Sequence, residues 1–181
     1  RSLVTHWMTV DADHAVALRD KDEDGVWSLT VGPLPPDIYD YVYLVDGVAF
    51  ADSNNAAVQT GETAPRSLLT VPTGDGAGYC ELHDVPHGAL HRHYYRSRPV
   101  GDVRDVYVYT PPGYEASPEQ RYPVLYLLHG GGDDASGWSS IGRVHLMMDN
   151  LLAAGKAEPM IIAMPYGQAV PATMSWAERR E

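Results

Sequence analysis

The ten residues Leu125 to Asp134, LYLLHGGGDD, gather the groups of this chain most able to do chemistry. An apolar run stops at His129 and gives way to three glycines and two aspartates. Attack on an ester carbonyl creates a tetrahedral oxyanion, which needs backbone N–H donors about 2.7–3.1 Å from the developing charge. Having no β-carbon, Gly130, Gly131 and Gly132 can turn an N–H outward and admit a substrate to the main chain. Loss of one such donor costs about 2.7–4 kcal/mol of transition-state stabilisation. The same glycines also suit a tight strand-to-helix turn with no catalytic duty, and by themselves they leave both readings open.

Neighbouring residues carry similar pairs of readings. Asp133 and Asp134 suit the start of a helix, where negative charge and side-chain acceptors are favoured. Trp138 either lines a pocket for an acyl group or packs beneath the glycine loop. His83, His87, His91 and His93, four of the eight histidines, fall between Leu82 and Pro99. No carboxylate or cysteine stands at a recognisable ligand spacing from them, so hydrogen-bonded or surface histidines are expected and no metal site is assigned. Trp7, Trp27, Tyr39, Tyr41 and Tyr43 offer aromatic faces on which a sugar ring could stack, or else they pack a core.

The elements that must position these groups fall into two halves. VWSLTV (Val26–Val31), IYDYVYLV (Ile38–Val45) and SLLTV (Ser67–Val71) are short, β-branched or aromatic, and separated by Gly, Pro, Asp and Asn, which predicts a β-sandwich. Along the second of these, Tyr39, Tyr41 and Tyr43 alternate with Asp40, Val42 and Leu44, as in an antiparallel strand. Residues 82–99 read as a linker leading into the next strand. VRDVYVYT (Val103–Thr110) then alternates, whereas YPVLYLLH (Tyr122–His129) and PMIIAMP (Pro159–Pro165) are nearly continuous apolar runs, the pattern of strands covered on both faces. Between the last two, Val144, Met147, Met148, Leu151 and Leu152 recur at helical spacing and Gly155 supplies a stop. Strand, helix and strand in this order predict a parallel pair joined by a crossover. The expected layout is residues 1–80 as β-sandwich, 81–98 as linker and lead-in strand, and 99–181 as an α/β domain.

Composition narrows the partners. The 181 residues are 44% hydrophobic and 20% charged, with 17 Gly, 14 Pro and a formal net charge of −11. That charge repels nucleic acid and anionic membranes at range, so neither is expected as a partner, and neutral substrates or sugars fit better. The single cysteine, Cys80, provides no internal disulfide framework and leaves secretion open. No apolar run approaches the roughly 20 residues of a membrane span.

Several motifs in order resemble one family. VYVYTPPGYEASPEQRYPVLYLLHGGGDDASGW, followed by LLAAGKAEPMIIAMPYG, is similar to the esterase D-like branch of the α/β-hydrolases. That branch includes the feruloyl and acetyl-xylan esterases of carbohydrate esterase family 1 and the enterochelin esterases. The resemblance implies a three-layer α/β/α hydrolase domain, no cofactor, and an oxyanion hole drawn in part from Gly131 and Gly132, with Gly130 beside them. It also implies that Trp138 is the family's tryptophan after the loop, and that His129 braces the loop more readily than it acts as a base. The stretch DEDGVWSLTVGPLPPDIYDYVYLVDGVAFADSNN resembles the early-set, immunoglobulin-like sandwich related to family 48 carbohydrate-binding modules, with Trp27, Tyr39 and Tyr41 as candidate sugar contacts.

These hydrolases carry their nucleophile in a GxSxG elbow after a later strand, followed by an acid and then a histidine. No GxSxG occurs among these residues; GWSSIG comes nearest, but Ile141 stands where the second glycine belongs. The resemblance therefore places nucleophile, acid and base beyond residue 181, and treats Ser136, Ser139, Ser140 and Ser175 as loop or cap residues. The chain is accordingly expected to be a fragment, starting at Arg1-Ser2-Leu3 without Met, with any signal peptide outside it, a first sandwich strand partly missing, and little activity of its own. An exposed sheet edge would favour oligomers or strand exchange.

The expected activity is hydrolysis of acyl or feruloyl esters of plant polysaccharide by a secreted or periplasmic enzyme, a cytoplasmic one being left open. Two alternatives stand beside it: a non-catalytic carbohydrate-binding or interaction protein on a hydrolase-like scaffold, and an acyltransferase of the mycolyltransferase-like branch.

Overall fold

The computed structural model describes residues 2–4, 16–20, 23–61, 64–74 and 78–170. The chain divides into two compact units, Arg1–Gly78 and Tyr79–Glu181.

In the first unit, β1 (Ser2–Val4), β2 (Val16–Ala17), β3 (Asp37–Val45), β4 (Val48–Phe50), β5 (Val58–Gln59) and β6 (Arg66–Val71) form a six-stranded sheet in the order β2-β1-β3-β6-β5, with β4 also on β3. β3 is the shared strand: Asp37 to Tyr41 pair with β6, while Val42 to Leu44 pair with β1 and Tyr43 to Val45 with β4, all antiparallel. Its alternation follows the sequence. Val42 and Leu44 point into the core at 1% and 8% exposure, and Asp40 on the same side pairs with Arg66 at 2.8 Å. Asp46 and Gly47 close the β3–β4 hairpin with positive φ at both positions, the backbone that a two-residue turn between twisted strands requires. A second sheet facing this one, as a sandwich requires, does not stand among the described residues.

Val26–Val31 does not form the expected strand. Among the described residues only Ser28 bridges, to Arg19, and Val26 and Trp27 are 64% and 42% exposed. A β-branched run becomes a strand only with a continuous partner, and this one meets its partner at a single rung.

In the second unit, β7 (Ala89–Ser97), β8 (Asp102–Thr110), β9 (Val124–Tyr126), α1 (Gly137–Ser140), α2 (Val144–Ala153) and β10 (Ile161–Pro165) build a four-stranded sheet of order β7-β8-β10-β9. β7 occupies most of the stretch read as linker. It pairs with β8 over its whole length, from Ala89↔Thr110 to Ser97↔Asp102, because the ladder satisfies the backbone of a segment whose side chains show no clean alternation. β8 and β10 are antiparallel, and β9 and β10 are the parallel pair joined through α2.

The core of this unit is Tyr109, Ile162, Met164, Val144 and Met148, with Leu127 and Leu152 packed against it. α2 ends as its sequence predicts. Gly155 is left-handed at φ 65°, its N–H donates to Leu152 O at 3.0 Å, and Lys156 N–H reaches back to Leu151 O at 2.9 Å, a Schellman closure.

The apolar run Tyr122–His129 gives a correction. Only Val124 to Tyr126 are strand, they lie at the edge of the four-stranded sheet, and their side chains are 47%, 42% and 71% exposed. A continuous apolar run is buried only where neighbours cover both faces, and among the described residues β10 is the one strand beside β9.

Candidate active site

The glycine loop leaves the sheet immediately after β9. Leu127 N–H still donates to Ala163 O at 2.9 Å, continuing the parallel ladder, and the chain then turns away. Four hydrogen bonds shape the turn. Trp138 Nε1–H donates to Leu128 O at 2.8 Å, and Asp133 N–H donates to Gly130 O at 3.3 Å. Gly167 N–H, just after β10, donates to His129 Nε2 at 3.0 Å, while His129 Nδ1 lies 2.8 Å from Gly130 O.

The two histidine contacts assign its tautomer. A backbone N–H can only donate and a carbonyl can only accept, so Nε2 is the bare nitrogen and Nδ1 carries the proton. With both ring nitrogens engaged, His129 braces the loop at both ends and has no free nitrogen for proton transfer. Its ring also lies 5.2 Å from that of Tyr166.

Gly130 and Gly131 are exposed and Gly132 is half-buried. Gly132 sits at φ 86°, a backbone that side-chain-bearing residues seldom adopt, and the space where its β-carbon would stand is open. The amides of all three glycines donate to no acceptor among the described residues. Unengaged donors at the carboxyl end of a strand are what an oxyanion site needs, because the donors must already point at the future charge.

Trp138 stands in α1 with its indole ring 38% exposed, and a β-carbon on Gly142 would come within 2.8 Å of that ring. The same side chain thus packs against the turn after α1, supports Leu128 and keeps part of its face open. Neither aspartate caps the helix. The N-cap of α1 is Ser136, without a side-chain cap bond, and Asp134 Oδ1 instead accepts Ser136 N–H at 2.7 Å and Ser136 Oγ–H at 2.5 Å. Competition from this short local turn takes the carboxylate before the helix can use it. Ser139 and Ser140 donate their hydroxyl protons to Ser136 O at 2.8 and 3.0 Å, so all three serines are spent within one turn.

A buried polar centre lies outside the loop. Asp149, 2% exposed on α2, accepts Tyr109 O–H at 2.7 Å and Gly88 N–H at 2.9 Å on one oxygen and faces His87 Nδ1 at 2.9 Å with the other. Burial, reinforced by this carboxylate, pushes the Tyr109 phenol up. Next to it, Asn150 Nδ2 donates to Tyr79 O and Glu81 O at 2.7 and 2.8 Å. Consecutive residues of α2 therefore hold the segment 79–88 against the helix. Asp-Asn inside the otherwise apolar LMMDNLL was the available signal, since polar residues on a core-facing turn require partners.

The remaining candidates have local roles. His87 Nε2 faces His83 O at 3.1 Å, His91 Nε2 lies 3.3 Å from Thr110 Oγ1, and His93 stacks on His91. Among the described residues no three His, Cys, Asp or Glu side chains stand where they could hold a metal ion. In the first unit, Tyr39 O–H donates to Pro35 O at 2.9 Å and Tyr41 O–H to Asp52 Oδ2 at 2.8 Å, while Trp27 is half-exposed in a loop. Trp7, Ser175 and the end of the chain fall outside the described residues. Among the described residues no helix is long and apolar enough to cross a membrane.

The second unit is thus a mixed sheet with a parallel β-α-β connection and a glycine-rich loop at a strand end. Comparison with known proteins makes this specific. Residues 97–181 match the model of a family described as putative esterase. The endo-1,4-beta-xylanase/feruloyl esterase of Xylanibacter ruminicola is 36% identical over 151 residues, covering 81% of this chain and 21% of that protein. The enterobactin esterase of Shigella flexneri superposes with a TM-score of 0.59 at 14% identity, over 91% of this chain and 46% of that one. The ferric enterobactin esterase of Salmonella typhimurium gives 0.54 at 15%, over 99% and 50%. At such identities the superpositions establish a shared fold and nothing further. The esterase resemblance read from the motifs is shown by the family match and the xylanase/feruloyl esterase relative together. The chain spans about a fifth of the length of that relative.

Proposed function

We propose that this chain belongs to a serine carboxylic-ester hydrolase acting on acyl or feruloyl esters of plant polysaccharide. The observation that carries the reading is the glycine loop at the end of β9: braced at Leu128, His129 and Gly130, yet with the three glycine amides unengaged. The amides of Gly131 and Gly132 would hydrogen-bond the oxyanion, with Gly130 shaping the approach. The nucleophile, acid and base would be supplied by sequence following Glu181, where a GxSxG elbow is expected. The name of the Xylanibacter ruminicola relative, 36% identical, supports a feruloyl ester as the substrate.

Trp138, with an open ring face beside the loop, would contact the acyl group, while His129 would remain a brace. The first unit would act as an early-set, immunoglobulin-like module beside the catalytic one. Trp27, Tyr39 and Tyr41 would be its aromatic candidates for a sugar, the two tyrosine hydroxyls being held by Pro35 O and Asp52 Oδ2. Because polysaccharide esters lie outside the cell, a secreted or periplasmic location belongs to the same proposal.

The test is hydrolysis of p-nitrophenyl acetate and methyl ferulate by a form extended beyond Glu181 far enough to carry the nucleophile elbow, the acid and the histidine. Turnover of both, lost on replacement of the elbow serine, is expected. A folded extended form that carries GxSxG and cleaves neither ester refutes the reading, and acyl transfer to an added sugar in place of hydrolysis would redirect it to the acyltransferase class.

A further inference from the structure

Arg104 is the least expected buried residue of the second unit. It lies on β8, only 4% exposed, and its guanidinium reaches no carboxylate among the described residues. Its partners are the face of the Tyr166 ring, 4.8 Å from Cζ, and the carbonyl of Val170, to which one terminal nitrogen donates; Nε has no hydrogen-bond partner. A buried cation held by one ring and one carbonyl is costly to desolvate, so the fold retains it against a penalty that a leucine would avoid.

What Arg104 touches leads directly to the glycine loop. Val170 and Tyr166 bracket the five-residue stretch after β10, and Tyr166 N–H is tied to Asp105 O at 3.2 Å, beside Arg104. Within that stretch Gly167 gives its N–H to His129 Nε2, and the Tyr166 ring lies against the His129 ring. His129 in turn holds the Gly130 carbonyl through Nδ1.

We propose that Arg104 is a positioning residue for the glycine loop: by fixing Tyr166 and Val170 it holds the Gly167 N–H on His129 Nε2, and so fixes both the histidine tautomer and the direction of the glycine amides. The tautomer is set by a donor that cannot move while Arg104 is in place. Without the cation, the stretch 166–170 keeps only the Tyr166 N–H bond to Asp105 O as its tie to β8, the Gly167 bond lengthens, and Nε2 becomes free to carry the proton. The part of this inference that concerns catalysis rests on the ester-hydrolase reading above; the part that concerns His129 does not.

The experiment separates the two. Long-range nitrogen–proton NMR of ¹⁵N-labelled histidines in the 181-residue chain should show His129 as the pure Nδ1–H tautomer. In Arg104→Met the Nδ1 and Nε2 resonances should move toward each other as the two tautomers mix, whereas Arg104→Lys, which keeps a cation over the ring, should stay near the wild type. Tyr166→Leu removes the intermediary ring while leaving the arginine and its bond to Val170 O in place, and should give the same mixing if Arg104→Met fails to fold. In the extended form, Arg104→Met should lower kcat by up to about 100-fold with KM for p-nitrophenyl acetate little changed, the signature of a loop misplaced by a fraction of an ångström. An unchanged His129 tautomer in both Arg104→Met and Tyr166→Leu overturns the proposal. If the wild-type extended form hydrolyses no ester, the ester-hydrolase reading falls, and the tautomer measurement still decides the role of Arg104.

Discussion

Replacing Asp149 by alanine should cost the second unit about 3–5 kcal/mol of stability, and the figure can be built from its contacts. The carboxylate is 2% exposed and accepts from Tyr109 O–H and Gly88 N–H on the same oxygen. Truncation leaves the hydroxyl of Tyr109, a residue with no exposed surface, and a backbone amide without acceptors, each an unsatisfied buried donor at about 1–3 kcal/mol. His87, whose side chain is 39% exposed, rehydrates and adds little. The two orphaned donors together account for about 2–6 kcal/mol, which brackets that figure. Asp149→Asn keeps an oxygen for Tyr109 and Gly88 and should cost only about 1–2 kcal/mol. The assay is urea unfolding followed by tryptophan fluorescence, with Tyr109→Phe made in the wild type and in Asp149→Ala. In wild type, Tyr109→Phe removes a charge-assisted hydrogen bond; in Asp149→Ala it removes an orphan donor, so its cost should vanish or reverse. A coupling below about 0.5 kcal/mol between the two substitutions would refute the assignment of Asp149 as the organiser of this core.

Other perturbations reach neighbouring features. Gly88→Ala should destabilise by about 1–3 kcal/mol in the same urea assay, because its β-carbon would meet Thr110 O at 2.3 Å and the Tyr109 ring at 2.5 Å, and both are held in place. Burial, followed by the charge of Arg143 and against the pull of Asp149, lowers the pKa of His145 below its ordinary 6.5. The unfolded chain then binds the proton first, so stability should fall as pH drops from about 6.5 toward the lower folded value and level off beneath it; urea midpoints between about pH 7.5 and 5 should flatten in His145→Gln. In the first unit, Tyr41→Phe loses its bonds with Asp52 and Asn55 and should cost about 0.5–1.5 kcal/mol without weakening binding to xylan or glucan, measured by unfolding and by affinity electrophoresis.

The elements most legible in the sequence were those whose own residue pattern and stop signals specify their conformation. β3 and the β10 strand, the helix over Val144–Ala153 and its stop at Gly155 follow from alternation, helical spacing and a glycine that tolerates positive φ. The failures share one cause, which is that pattern says nothing about partners. Val26–Val31 has strand composition but a single rung, β7 has linker composition but nine paired residues, and the run around Leu125 has the pattern of a covered strand but lies at an edge.

The candidate site divides in the same way. Three consecutive glycines after an apolar run, and the family motifs around them, are facts of local chemistry, and the sequence alone determined that a loop able to present free amides stands there. Its bracing was decided only in three dimensions. His129 finds Gly167, Trp138 finds Leu128, and Arg104 finds Tyr166 and Val170, partners separated by up to 66 positions in the chain. Hydrogen-bond direction and tautomer depend on which atoms lie about 3 Å apart, and that distance is set by the sheet order, which places the residues after β10 beside those after β9.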